Sequence, residues 1–261
     1  MQEFRMKIQF ASDLHLEFDH NRELLEQGGV LLPVGDVLVL AGDVSILGDK
    51  KMLHLPFFDW CAEHFQETLI VPGNHEYYGG YDIGRSLVDY EVKYRDNVMY
   101  LNNKSFRIGD VELFFTTLWT RINPVFLCAI QRGMNDFRHC RLDGTRLTAH
   151  EVSILHDISK GWLGATLKSS DATRKIVVTH HCPTERKEFN KYPGGPLNSA
   201  FQVNLDSFIE QSGADYWIYG HTHYAGGSGT VIGNTKLICN QMGYVNYGEG
   251  GDYVSDMVLE I

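Results

Sequence analysis

The stretch IVPGNHEYY, residues 70–78, is a short apolar run that ends abruptly in polar residues. Its first residues are typical of a buried strand, whereas Gly73, Asn74 and His75 follow without any apolar periodicity. Packing alone does not call for an amide and an imidazole at the end of a strand. The stretch therefore predicts a strand that delivers polar side chains to a site.

Four other stretches have the same form, an apolar run that ends in a small residue and then in Asp or His. They are MKIQFASDLH (6–15), DVLVLAGD (36–43), RKIVVTHHCP (174–183) and DYWIYGHTH (215–223). Runs that are apolar throughout are typical of strands covered on both faces. Because ligands collect beyond the carboxyl ends of strands in open α/β sheets, these five strands are predicted to deliver polar groups at one end.

The remaining patterns predict helices and hairpins around these strands. Apolar spacing predicts helices over 57–65, 86–94, 147–158 and 201–211. Antiparallel hairpins are predicted over 97–120 and 229–240, with turns at Gly109-Asp110 and Gly233-Asn234. The predicted fold class is α/β (α+β), with two mixed β-sheets packed as a sandwich between helical layers.

The chain of 261 residues is predicted to be a single domain, residues 1–261. The pattern shows no internal repeat and no linker rich in Pro, Gly or Ser that would divide it. Specificity in such folds lies in loops, and we expect a specificity insert around 121–172 and a second contribution from the loop NKYPGGPLNSA, residues 190–200.

The charge and the cysteine content of the chain indicate which binding partners and which cellular compartment to expect. Asp and Glu outnumber Lys and Arg by 33 to 23, giving a formal charge of −10 that disfavours nucleic acid as a partner. The five cysteines are scattered and never spaced as CxxC, which favours a reducing compartment. The N-terminal MQEFRMKIQF lacks a signal-peptide pattern and no apolar run is long enough for a membrane span. We expect a cytoplasmic protein without membrane partners.

The polar strand ends together form a set of oxygen and imidazole donors. In an extended or turning segment, residues two apart point the same way, which would let each Asp-x-His or His-x-His pair enter one cavity. Seven donors are too many for one tetrahedral ion and suit two ions that share a carboxylate. Imidazole-rich sites favour Mn, Fe, Zn, Co or Ni over Ca. The candidate metal residues are Asp13, His15, Asp43, Asn74, His180, His221 and His223.

The ordered series DLH, GD, GNHE, HH and GHTH, from Asp13 to His223, resembles the calcineurin-like metallophosphoesterase superfamily. Each motif alone is weak, but all five in order at strand ends are specific. The resemblance implies a four-layer αββα sandwich that carries a dinuclear metal centre.

The resemblance also implies a role for each site residue. One ion would be held by Asp13, His15, Asp43 and His223, and the other by Asp43, Asn74, His180 and His221, with Asp43 bridging. His75 would act on the leaving group. His180 rather than His181 is expected to enter the site, since adjacent strand residues face opposite ways.

The implied activity is hydrolysis of a small phosphodiester or phosphomonoester by attack of metal-bound hydroxide on phosphorus. Two alternatives remain at this point: a nuclease of the same superfamily, and a non-catalytic scaffold that keeps the fold. The acidic balance counts against the nuclease, and the complete donor set counts against the scaffold.

Two residues are candidate substrate contacts. Tyr77, like its neighbour Tyr78, could line a cleft, although aromatic residues beside a loop more often pack. Arg121 begins a locally positive segment, residues 121–146, that could clamp a phosphate, although arginines on a solvated face are more common. We expect Arg121 to assist monoester binding.

Overall fold

A computed structural model of the protein describes residues 6–261. Residues 1–5, which open the N-terminal stretch where the sequence predicts no signal peptide, lie outside the described residues. The strands are β1 (Lys7–Ala11), β2 (Val37–Leu40), β3 (Glu67–Ile70), β4 (Tyr90–Arg95), β5 (Val98–Asn102), β6 (Lys104–Ile108), β7 (Val111–Thr116), β8 (Arg141–Leu142), β9 (Thr145–Arg146), β10 (Arg174–Thr179), β11 (Tyr216–Ile218), β12 (Val231–Ile232), β13 (Thr235–Ile238) and β14 (Val258–Glu260). The α-helices are α1 (Asp19–Glu26), α2 (Lys50–Leu53), α3 (Pro56–His64), α4 (Leu127–Gly133), α5 (Asp136–His139), α6 (Ala149–Ser169) and α7 (Asp206–Ser212).

The first sheet has the strand order β14-β1-β2-β3-β5-β4. Its four central strands run parallel, and the edge strands β14 and β4 run antiparallel to their neighbours. Strand β2, with the sequence VLVL, is buried at every position because both faces of the sheet are covered. The sheet confirms the first three predicted strands and brings their carboxyl ends to one edge.

The second sheet repeats this plan in the order β12-β13-β11-β10-β7-β6. Strands β7, β10, β11 and β13 run parallel, while β6 and β12 are antiparallel edges. The predicted turns at Gly109-Asp110 and Gly233-Asn234 are confirmed as the β6-β7 and β12-β13 connections. The hairpin predicted over 97–120 is only partly correct, because its first strand, β5, pairs in the other sheet.

Three apolar clusters fill the spaces between four layers. Phe10 and Phe115 belong to the cluster between the two sheets. The outer face of the first sheet packs against α3 through residues such as Phe58, and the outer face of the second sheet packs against α6 and α7 through Leu163 and Trp217. The order of helices, sheet, sheet and helices confirms the four-layer αββα sandwich.

Two of the four predicted helices are confirmed, and two need correction. The helices predicted over 57–65 and 147–158 appear as α3 and α6, the latter opened by a Thr148–Glu151 capping box. The helix predicted over 201–211 forms only from Asp206 onward. The helix predicted over 86–94 is wrong, because strand β4 begins at Tyr90. Tyr90 and Tyr94 are buried and the residues between them are more exposed, which fits the alternation of a strand.

The segment 121–172 folds as α4, α5, the two-stranded β8-β9 sheet and the long helix α6, which has 21 residues. Among the residues that the structure describes, no helix combines the length and apolar character that crossing a bilayer requires.

Candidate metal centre

The predicted metal residues leave the carboxyl ends of five strands and converge where the two sheets meet. Strands β1, β2 and β3 supply residues from the first sheet, and β10 and β11 supply residues from the second. Parallel strands bring their carboxyl ends to the same edge, which is why motifs far apart in sequence become neighbours. The residues brought together are Asp13, His15, Asp43, Asn74, His75, His180, His221 and His223.

A first group consists of Asp13, His15 and His223, whose potential ligand atoms all lie within 4.8 Å of one another. Nε2 of His223 lies 3.3 Å from Oδ1 of Asp13 and 3.1 Å from Nε2 of His15. Three side chains from two different sheets therefore point into one small volume.

A second group consists of Asp43, His180 and His221, again with ligand atoms within 4.8 Å. Nε2 of His180 lies 3.4 Å from Oδ1 of Asp43 and 3.0 Å from Nδ1 of His221. Oδ1 of Asn74 lies 3.1 Å from the same His180 nitrogen, so the amide oxygen belongs to this group as well.

Asp43 lies between the two groups. Its Oδ2 is 3.8 Å from Nε2 of His15 in the first group, and its Oδ1 is 3.4 Å from Nε2 of His180 in the second. Its Oδ1 also accepts a hydrogen bond from the main-chain N–H of His75, at 2.9 Å. One carboxylate thus faces both groups, the arrangement that a shared ligand requires.

The residues present fit metal ions. The carboxylates of Asp13 and Asp43 are buried, and burying anions is costly unless positive charge compensates them. Imidazole and carboxylate donors together suit first-row transition ions. The two groups could hold one ion each.

The backbone that presents these side chains is strained. Asp13, His15, Asp43, His221 and His223 have φ values of 58°, 49°, 53°, 73° and 47°, in the left-handed region that L-residues avoid. These segments turn rather than extend, and the side chains of both the Asp-x-His pair and the His-x-His pair converge, as the sequence predicts. Strain of this kind clusters at functional sites.

Two glycines let the chain segments approach one another. A Cβ atom at Gly42 would lie 2.4 Å from Nδ1 of His180, and one at Gly73 would lie 2.1 Å from Oδ1 of Asp43. Both distances are far inside van der Waals contact, so only glycine fits at these positions.

Glu76, the last residue of the GNHE motif, fastens the second and third motifs to each other. Its buried carboxylate accepts main-chain hydrogen bonds from Asp43 at 2.9 Å, Val44 at 2.7 Å and Gly73 at 2.7 Å. Burial and the charge of Asp43 raise the pKa of Glu76, to about 8. The sequence showed this residue only as part of a motif, without its role.

Carboxylates that the sequence reasoning missed orient the imidazoles. Oε1 of Glu17 accepts hydrogen bonds from Nδ1 of both His15 and His75, at 3.0 and 2.8 Å. Oε2 of Glu249 accepts one from Nδ1 of His223 at 2.6 Å. With Nδ1 engaged, each ring turns its Nε2 toward the centre, the usual way in which outer partners fix a ligand. Glu17 stands two residues after His15, but the sequence offered no signal for Glu249.

Burial and neighbouring charge set the protonation of the imidazoles. Burial lowers the pKa of His75, but the negative charges of Asp43 and Glu17 outweigh it and raise the value to about 9. The same opposition, with Asp43 as the main charge, raises the pKa of His180 to about 9. Burial and the adjacent His181 hold the pKa of His221 well below its ordinary value.

Asp136 orients the amide of Asn74. Oδ1 of this buried carboxylate accepts hydrogen bonds from Nδ2 of Asn74 at 2.8 Å and from the hydroxyl of Tyr78 at 2.6 Å. The amide oxygen of Asn74 is thereby turned toward His180. Burial raises the pKa of Asp136. The ring of Tyr78 stacks on His75 with centroids 4.1 Å apart.

A cavity of about 570 Å³ opens from these groups to the surface. Its floor includes Asp43, Asn74 and His75, and its walls come from residues 133–135 and from residues 189–202. The two predicted specificity segments thus both reach the cavity. A second cavity, of about 460 Å³, is lined mainly by apolar residues of α1, α3 and the loop after α1, and no predicted metal residue belongs to its described lining.

The two predicted substrate contacts, Tyr77 and Arg121, are not among the described residues that line the cavity of about 570 Å³. Tyr77 is fully buried and its hydroxyl lies 2.7 Å from Oγ of Ser86, so that Tyr78 rather than Tyr77 lines the cavity. Arg121 is 62% exposed and pairs with both carboxylate oxygens of Asp157 on the surface.

His181 lies beside the centre and faces the core. It is buried, its Nδ1 is 3.1 Å from the carbonyl oxygen of Thr117, and its ring lies 4.2 Å from that of His221. Burial and the charge of His180 lower its pKa to about 3. His181 is therefore a neutral histidine that packs behind the ligand groups.

Comparisons with known proteins agree with the motifs. A family model described as calcineurin-like phosphoesterase matches residues 6–225, which confirms the resemblance. An uncharacterized protein, L509, of Acanthamoeba polyphaga mimivirus is 27% identical over 259 residues, covering 91% of each chain. The solved structure of a phosphopantetheinyl hydrolase from Mycobacterium tuberculosis superposes with a TM-score of 0.71 at 16% identity, covering 98% of this chain and 95% of the other. The latter similarity shows a shared fold.

Proposed function

Since this chain belongs to the calcineurin-like phosphoesterase family, we propose that it hydrolyses a small phosphate ester at a dinuclear metal centre. One ion is assigned to Asp13, His15, Asp43 and His223, and the other to Asp43, Asn74, His180 and His221. The observation that carries the proposal is the convergence of all seven donors. Four of them, Asp43, Asn74, His221 and His223, line one cavity together with His75.

Two metal ions held here would supply an activated water and offset the negative charge of the phosphoryl group. The protein's own residues act on the leaving group. As water adds to phosphorus and the bond from phosphorus to the alcohol breaks, His75 gives a proton to the leaving oxygen. Glu17 engages Nδ1 of His75, so the proton available for transfer is the one on Nε2, and the stacked ring of Tyr78 limits rotation of the imidazole.

The cavity supports a small substrate. Besides the metal residues, its lining includes Met134, Leu197 and Phe201, and Lys191 is the single lysine or arginine among the described lining residues. An extended nucleic acid would need a row of cations along its path, and the net charge of −10 opposes one. A nuclease therefore has less support than an enzyme for a small ester.

The substrate is proposed to be a phosphodiester of a small alcohol. A diester carries one negative charge, which two cations can hold without added positive side chains. A monoester carries nearly two and would benefit from a further cation, for which Lys191 is the available group. Because the fold is shared with a phosphopantetheinyl hydrolase, phosphopantetheinyl esters are a sensible first natural substrate class to examine.

The finer assignments belong to this proposal as well. The metals are taken from Mn, Fe, Zn, Co and Ni on the basis of the imidazole-rich donor set. Residues 121–172 are proposed to set specificity, because residues 133–135 line the cavity. A cytoplasmic location is supported by the five cysteines, all of which are free thiols in the described chain, four of them buried.

The test combines metal analysis with kinetics. The purified protein is stripped with a chelator, reloaded with each candidate metal, and assayed with bis(p-nitrophenyl) phosphate, p-nitrophenyl phosphate, and single-stranded and duplex DNA. We expect two metal ions per chain, metal-dependent turnover of the diester and little turnover of DNA. Two bound ions without turnover of any ester would favour the scaffold, and preferential cleavage of DNA would favour the nuclease.

A further inference from the structure

The segment 241–249 follows β13 and lies beyond the residues that the family model matches. It is tied to the first metal motif by main-chain hydrogen bonds. The N–H of Met242 donates to the carbonyl of Ser12 at 3.1 Å, and the N–H of Gly243 donates to that of Asp13 at 3.0 Å. The segment therefore has a fixed position over the first ligand group.

Tyr244 is held in this segment from two sides. Its ring lies 4.5 Å from that of His15 and 4.6 Å from that of His223, measured between centroids, with Phe18 at its edge. Its main-chain N–H donates to Oε2 of Glu249 at 2.9 Å, the same oxygen that accepts from Nδ1 of His223. The tyrosine is thus oriented by the same carboxylate that orients a predicted metal ligand.

The hydroxyl of Tyr244 lies 3.2 Å from Nε2 of His75. The other nitrogen of His75 is engaged by Glu17, so Nε2 is the atom that faces the reaction. Tyr244 and His75 both line the cavity of about 570 Å³. A phenol O–H and an imidazole nitrogen therefore stand side by side at the cavity floor.

We propose that Tyr244 is a catalytic residue, whose hydroxyl donates a hydrogen bond to a non-bridging phosphoryl oxygen of the substrate, next to His75. The proposal rests on the proposed function, which places the phosphoryl group at the two ligand groups. A phenol keeps its proton at neutral pH, so Tyr244 donates the hydrogen bond without transferring the proton. Hydrogen bonds to charged oxygens are the strong ones, and they strengthen as charge develops in the transition state.

A purely structural role for Tyr244 predicts a different result. If its hydroxyl only held the ring of His75, removing it would disturb proton transfer to the leaving group and leave phosphate binding unchanged. Inorganic phosphate has no leaving group. Its affinity for the metal-loaded protein therefore reports on contacts to the phosphoryl oxygens alone, and it can be measured whether or not an ester is turned over.

The test is titration of inorganic phosphate into metal-loaded wild type and Tyr244→Phe by calorimetry, with metal content measured on the same samples. Tyr244→Phe keeps the ring against His15 and His223 and removes only the hydroxyl. We expect unchanged metal content and phosphate affinity lowered about tenfold, the usual effect of losing one hydrogen bond to a charged group. Tyr247→Phe is the matched control, because Tyr247 lies on the same segment and is 80% exposed; it should leave the affinity unchanged.

Equal phosphate affinity in wild type and Tyr244→Phe would overturn the proposal, and so would loss of metal from Tyr244→Phe or no phosphate binding by wild type. A kinetic measurement accompanies the titration. With bis(p-nitrophenyl) phosphate as substrate, the factor by which kcat falls in Tyr244→Phe should exceed the factor by which KM rises. If wild type turns over no ester yet binds phosphate through Tyr244, the proposed function fails while the contact assigned to Tyr244 stands.

Discussion

The main-chain N–H of Asp43 donates a hydrogen bond to the carboxylate of Glu76 at 2.9 Å, across 33 positions of sequence. Asp43 faces both ligand groups, so this bond fixes the residue that lies between them. Glu76 also accepts from Gly73, and therefore locks the loops after β2 and β3 together. The motif GNHE thus contains a residue whose role is to hold another motif in place.

Replacing Glu76 tests this lock. In Glu76→Gln an NH₂ group replaces one of the two oxygens that accept from main-chain N–H groups, so donors face a donor and we expect the free energy of unfolding to fall by about 2–4 kcal/mol. Urea denaturation of the metal-free protein measures it. The control is Glu63→Gln on the exposed side of α3, which should change stability by less than about 0.5 kcal/mol. Equal stability of the two variants would refute a structural role for Glu76.

Alanine substitutions at Gly42 and Gly80 distinguish two costs of adding a Cβ atom: a clash with neighbouring atoms and an unfavourable backbone conformation. Both have positive φ, +88° and +81°, but a Cβ at Gly42 meets His180 at 2.4 Å. Apart from Gly80 and its two chain neighbours, no heavy atom of the described chain lies within 4 Å of a Cβ at Gly80. Gly80→Ala should therefore cost about 1–2 kcal/mol for the left-handed conformation alone. Gly42→Ala should cost about 1–3 kcal/mol more through overpacking and should also lose metal. Urea denaturation and metal analysis of both variants decide the matter, and similar results for the two would disprove the steric argument.

The five motif-bearing strands could be predicted because each is a continuous apolar run of the kind that a doubly covered sheet requires. The pairing of strands could not, since nothing local distinguishes β5, which joins the first sheet, from β6 and β7, which form the hairpin of the second. A helix was predicted over 86–94 from local spacing, but antiparallel pairing with β5, a contact that local spacing does not show, makes Tyr90–Arg95 a strand.

The convergence of the candidate metal residues could be predicted for the same reason, because strand ends mark them. The residues that orient and contact them could not be predicted. Glu249 and Tyr244 come from a segment without a motif, and only the hydrogen bonds of that segment to β1's end bring them to the site. Likewise, adjacent Tyr77 and Tyr78 are indistinguishable in sequence, and the short 3₁₀ helix His75–Tyr77 turns one into the core and the other toward the cavity.

Metal stoichiometry tests the position of Asp43 between the two groups. In Asp43→Ala, both proposed ions lose a ligand, and we expect fewer than one tightly bound ion per chain. In Asn74→Ala, only one ion loses a neutral ligand, and one ion should stay tightly bound. Metal content after gel filtration measures both. Two tightly bound ions in Asp43→Ala would rule out the shared carboxylate.

The role of His75 is tested by leaving groups of different pKa. His75→Asn should keep both metals and lower kcat by about 10²- to 10⁴-fold for alkyl phosphodiesters, the usual range for a lost general acid. The loss should be smaller for p-nitrophenyl esters, whose leaving group needs no proton. His139→Asn is the control, because exposed His139 stacks on Tyr78 with ring centroids 5.1 Å apart and is not among the described residues that line the cavity. An equal loss for all leaving groups would show that His75 only positions the phosphoryl group.

Substitutions of Lys191 and Arg121 are expected to differ in their effect on KM for a monoester. Lys191 lines the cavity, where its Nζ lies 3.8 Å from Oε1 of Glu249, whereas Arg121 pairs with Asp157 on the outer surface. Because a monoester carries more negative charge than a diester, Lys191→Met should raise KM for p-nitrophenyl phosphate by about 2- to 5-fold, the effect expected of a partly exposed charge pair. KM for bis(p-nitrophenyl) phosphate should change less.

The matched variant Arg121→Met removes a cation of the same sign from outside the cavity and should leave both KM values unchanged. This expectation replaces the one drawn from sequence, in which Arg121 assisted monoesters. Salt provides an internal check, because screening weakens interactions between exposed charges, so the effect of Lys191→Met should shrink as ionic strength rises. If Arg121→Met impairs the monoester and Lys191→Met does not, the substrate must approach from the side of α6, and the cavity assigned to it here is the wrong one.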